Sequence, residues 1–104
     1  MILKNLDYKQ SEHQSSAYEE WNYFDNITSA SVFFHENTKM TVVRCSFRDG
    51  NTVTIAVPHV AYLMSDTGKT IEKIVAADVE ELGDTEDAVY PTMQEAVDWA
   101  KNAD

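Results

Sequence analysis

Three stretches rich in Val, Phe, Thr and Ile, at residues 31–36, 39–47 and 51–57, follow one another with only two short breaks. This constrains the fold more than any other feature, because β-branched and aromatic residues suit a pleated, half-buried surface. Asn37-Thr38 makes the first turn, which sets Glu36 against Lys39, Val32 against Val43 and Phe34 against Thr41. The second turn carries Asp49-Gly50. A two-residue loop would oppose Ser46 to Val53 and Arg44 to Ile55, polar against apolar. A three-residue loop, Arg48-Asp49-Gly50 with the glycine left-handed, opposes Cys45 to Val53 and Val43 to Ile55 instead. A slip of one residue exchanges the faces of a strand, so matched faces select the second register. The expected product is an antiparallel meander over 31–57. Val32, Phe34, Val43, Cys45, Phe47, Val53, Ile55 and Val57 share its buried face, and Met40, Val42, Arg44, Thr52 and Thr54 the other.

Around the meander the signals are more local. Thr92-Met93-Gln94-Glu95 is a capping box, and Met93, Ala96, Val97 and Ala100 follow at helical spacing, with Trp99 beside them. They predict a helix over 93–103 lying on the sheet. Ser16-Ala17-Tyr18-Glu19 fits a capping box too, and admits a short helix from about Ala17 to Tyr23. Residues 59–82 read either as a helix or as a hairpin turned at Asp66-Thr67-Gly68. The hairpin, pairing Leu63 with Ile71 and Val60 with Ile74, is preferred, since Asp78 would interrupt the helical apolar arc. The fold class expected is therefore α+β. An antiparallel sheet of four to five strands packs against a C-terminal helix, in a single domain over residues 1–104.

Charge separates the function classes. The net charge is −10, unevenly spread: residues 1–52 hold seven acids and five bases, residues 53–104 eleven acids and three bases. Between Ile74 and Ala100 there are eight carboxylates and no Lys or Arg: Asp78, Glu80, Glu81, Asp84, Glu86, Asp87, Glu95 and Asp98. Such a surface repels nucleic acid and anionic membranes and attracts cations. No apolar run approaches the ~20 residues of a membrane span. The N-terminal residues lack a basic flank followed by an apolar stretch, so a cytoplasmic address is expected.

No cofactor, metal or nucleotide motif emerges. Cys45 stands alone in an apolar run and is expected to behave as a small hydrophobe. Asp66-Thr67-Gly68 is the tripeptide of aspartic proteases, but Ser65 precedes it and Lys69 follows, where that family has an apolar strand and a small residue. Gly68-Lys69-Thr70 resembles the end of a phosphate-binding loop, yet Leu63 stands where its first glycine must be. The acidic stretch lacks the alternating ligands of a calcium loop. His13, His35 and His59 are scattered, without the close ligand spacing of zinc sites.

Two function classes follow. The first is a non-enzymatic protein whose eight carboxylates engage a basic protein partner. By analogy of size and charge it would be an inhibitor or immunity-type protein, or a nucleic-acid mimic, acting on a nucleic-acid-handling protein. The second is a small enzyme or ligand-binding domain assembled from dispersed residues, with His35, His59 and the Arg44 face as ingredients.

Overall fold

The computed structural model describes residues 1–9, 18–85 and 89–90, and in them nearly every residue belongs to a strand or a tight connection. The meander is there in the register that matched faces select. β3 (Ile27–His35), β4 (Met40–Phe47) and β5 (Thr52–Ala56) pair Val32 with Val43, Phe34 with Thr41, Cys45 with Val53 and Val43 with Ile55. Gly50 has φ +90°, the left-handed position that the three-residue loop requires.

A second sheet closes over this one. β1 (Ile2–Lys9) pairs on one side with β2 (Tyr18–Phe24) and on the other with β6 (Val60–Met64), and β6 pairs with β7 (Thr70–Val75), all antiparallel. After a 3₁₀ turn at Ala76–Asp78 the chain returns to the first sheet. There β8 (Leu82–Gly83) runs parallel to β3 at one edge and β9 (Val89–Tyr90) parallel to β5 at the other. The architecture is a β-sandwich, with strand orders β2-β1-β6-β7 and β8-β3-β4-β5-β9. Between the sheets lie Leu3, Val43, Cys45, Ile55, Ala61 and Ile74. Asn5, also buried, donates from Nδ2 across to the carbonyl of Ala56 at 3.1 Å. At one corner Met1 and Ile27 exchange main-chain hydrogen bonds of 2.7 and 3.2 Å, which stitch the sheets together.

The α+β expectation is corrected: among the described residues the fold is all-β, and its sole helical turn is Ala76–Asp78. Of the short helix admitted from about Ala17 to Tyr23, the described part, Tyr18 onward, is strand β2. Tyr18, Trp21, Tyr23 and Phe24 all favour strands, and β1 supplies a seven-residue partner from Leu3↔Phe24 to Lys9↔Tyr18. That distant pairing outweighs a local capping signature. The helix expected over 93–103 lies outside the described residues. The 59–82 segment forms the hairpin, but in a register one residue away from the expected one. Ala61 faces Ile74 and Leu63 faces Glu72, with an irregularity between Leu63 and Met64. This places Ile74, 2% exposed, opposite the small Ala61 and against the core, and leaves Ile71 57% exposed. On the face of the meander turned away from the core, Val42 and Thr54 are also withdrawn from water, both 0% exposed, while Arg44 on the same face is exposed.

Candidate functional site

The acidic segment is held by main-chain pairing at the C-terminal end of β3. Phe34 N–H donates to the Glu81 carbonyl at 2.7 Å and Glu36 N–H to the Gly83 carbonyl at 3.1 Å. Gly83 is required by contact: a Cβ there would lie 2.6 Å from Cδ2 and 2.8 Å from Cγ of Phe33. Beyond it the chain is fixed by a buried histidine. Nδ1 of His35 accepts from Thr38 N–H at 3.2 Å and lies 2.7 Å from the Thr38 hydroxyl. Nε2 also has the Thr85 N–H 3.2 Å away, so the Asp84 carboxylate decides the tautomer: its Oδ1, 2.8 Å from Nε2, can only accept, which places the ring proton on Nε2, and the same oxygen takes the Thr85 N–H at 3.0 Å.

Asp78, Glu80, Glu81 and Asp84 are all exposed on this scaffold. Asp78 and Glu81 share a shallow depression over Val32 and Val79, together with Glu72 and Lys73 of β7. Two of these features escaped the sequence reading. Glu72 enlarges the acidic group from a neighbouring strand, whereas Lys73 brings a base to a segment that has none of its own. Asp84 is set apart by its bond to His35. Glu86, Asp87, Glu95 and Asp98 lie outside the described residues. Also unforeseen is Leu82, 64% exposed in the middle of the carboxylates. A lone leucine between Glu80, Glu81 and Asp84 was the available signal.

Three clefts lined by described residues contain none of the dispersed-site ingredients His35, His59 and Arg44. The ring nitrogens of His35 are engaged as above. His59 packs edge-on against Tyr8 at 4.7 Å, and Arg44 is exposed on β4. Cys45 is buried between the sheets, and burial pushes its thiol up to about 12, so it holds its proton and is no nucleophile at neutral pH. Asp66-Thr67-Gly68 is a hairpin turn closed by Gly68 N–H to the Ser65 carbonyl at 2.9 Å, with Gly68 at φ +90°. Its aspartate is exposed and ion-paired to the N-terminal ammonium at 3.1 Å, unlike a buried catalytic dyad. Among the described residues no helix is long and apolar enough to cross a membrane, and no three His, Cys, Asp or Glu side chains group as metal ligands.

No protein family, no curated protein and no solved structure matches this chain.

Proposed function

We propose that this is a non-enzymatic binding protein that engages a basic protein through its β8 edge. The observation that carries the reading is Leu82, an exposed apolar side chain on a two-residue edge strand, flanked by the exposed carboxylates of Glu80, Glu81 and Asp84. Glu72 and Asp78 extend the same charge from adjacent elements. Interfaces concentrate their energy in a few central apolar anchors, with charged rims that set partner choice and association rate. Lysine- and arginine-rich proteins that handle nucleic acid present the complementary charge. An inhibitor or immunity-type role follows by analogy. A cytoplasmic setting accords with a single cysteine that is an unpaired, buried thiol.

The test uses native protein as bait in its host's lysate, followed by stopped-flow association with the recovered basic partner. Glu80→Lys with Glu81→Lys should slow association strongly and flatten its salt dependence, and Leu82→Ala should speed dissociation. Unchanged rates in both variants, or recovery of acidic partners alone, would remove the proposal.

A further inference from the structure

A second site lies at the opposite end of β3, roughly 20 Å from β8 at ~3.3 Å per strand residue. There the β2–β3 connection, Asp25-Asn26, meets the β4–β5 loop, and Arg48 N–H donates to the Asn26 carbonyl at 3.3 Å. Between them is a cleft of about 290 Å³ lined by Phe24, Asp25, Phe47, Arg48, Asp49 and Val53. Its apolar part is built: the Phe24 and Phe47 rings meet edge to face at 4.6 Å, and Val53 belongs to the core. Its rim is fixed as well. Asn26 holds a left-handed φ of 61°, and β3 changes register just beyond it, between Ile27 and Ser29. Irregular backbone of this kind often aims side chains at a site.

The charged side chains of the rim, Asp25, Arg48 and Asp49, are all exposed. Both carboxylate oxygens of Asp49 accept from Asn51, from its N–H and from its Nδ2, at 2.9 Å each. Asp25 Oδ1 accepts from Asn26 Nδ2 at 3.3 Å. Among the described residues the Arg48 guanidinium has no ion-pair partner, although two aspartates line the same cleft. One cation and two anions thus surround an apolar floor without neutralising each other. We infer that this cleft binds a small zwitterion with an apolar body, of the apolar α-amino-acid class. The ligand carboxylate takes the forked donors of Arg48, its ammonium faces Asp25 and Asp49, and its side chain lies against Phe24, Phe47 and Val53. The cleft volume sits at the lower edge of the ~300–1,000 Å³ range of small-molecule sites, which suits a body of this size.

The probe is L-phenylalanine, titrated into ¹⁵N-labelled protein and followed by NMR. It should shift the amides of Asn26, Arg48 and Asn51 saturably. N-acetylphenylalanine and phenylalaninamide, each lacking one charge, should bind about tenfold more weakly, as loss of one charged hydrogen-bonding partner implies. Arg48→Gln, at an exposed position, should weaken phenylalanine by a similar factor while leaving the spectrum otherwise folded. Absence of saturable shifts at the solubility limit of phenylalanine would overturn the assignment. So would equal affinity for all three compounds, or undiminished binding by Arg48→Gln. The series on native protein decides the matter even where a variant fails to fold. It is also independent of any partner at β8.

Discussion

Gly83→Ala tests whether the acidic edge depends on one close contact. The added methyl would sit 2.6 and 2.8 Å from Cδ2 and Cγ of Phe33. Cγ is the root of the ring, so a swing of the distal edge cannot relieve the overlap, and either the whole ring or β8 must move. Forcing the ring off its rotamer costs roughly 0.5–1.5 kcal/mol. Releasing β8 instead forfeits the hydrogen bonds to Glu81 and Gly83, each contributing about 0.5–1.5 kcal/mol net. The two routes together span about 0.5–3 kcal/mol, a fall in melting temperature of roughly 2–24 °C for a domain of this length. Thermal unfolding measures the sum, and amide exchange separates the routes. If β8 detaches, the amides of Phe34 and Glu36 lose protection while those of the β4–β5 ladder keep theirs. Phe33→Leu opens space beside Gly83, so adding it to Gly83→Ala should recover part of the loss in a double-mutant cycle. An unchanged melting temperature with unchanged protection at Phe34 and Glu36 would refute the argument from contact.

Other expectations follow from the same packing. Ile74→Ala should cost about 2–5 kcal/mol and Ile71→Ala less than about 0.5 kcal/mol, because only the first faces the core; equal costs in denaturant melts would mean the β6–β7 register is wrong. Thr54→Val should stabilise by about 1 kcal/mol, since the Thr54 hydroxyl is buried with no hydrogen-bond partner among the described residues; a drop in melting temperature would show that the hydroxyl is satisfied. Cys45 should resist thiol reagents until the protein unfolds. Because its folded pKa is raised to about 12, the unfolded chain releases this proton first, so this thiol's contribution to stability should fall as pH rises beyond about 9; rapid labelling of native protein at pH 8 would contradict both statements.

How legible the fold was depended on how far each signal reached along the chain. The meander could be read with its registers because its turns and apolar faces lie within a few residues of each other. Beyond it, partners were distant. Nothing near Tyr18–Phe24 announces that β1, at residues 2–9, will offer it a ladder, so the capping box at Ser16–Glu19 points locally to a helix start. In the β6–β7 hairpin, two registers put apolar residues opposite one another locally. Only the facing meander sheet, against which Ile74 packs while Ile71 stays exposed, chooses between them.

The site was legible as charge but not as shape. A count of carboxylates finds Asp78, Glu80, Glu81 and Asp84 but ranks them equally, and the structure does not. His35, an ingredient of the dispersed enzyme or ligand-binding site in the second function class, is instead the residue that fixes the end of the acidic segment, by accepting from Thr38 and donating to Asp84. That bond ties the carboxylate of Asp84 to the scaffold, whereas Glu80 and Glu81 flank the exposed Leu82. Reversing charge at Glu80 and Glu81 therefore perturbs the rim of the proposed interface alone. Reversing it at Asp84 would also place a cation against the Nε2 proton of His35 and loosen β8. A binding defect in Asp84→Lys is for that reason ambiguous, while one in Glu80→Lys with Glu81→Lys, at unchanged melting temperature, is a property of the surface.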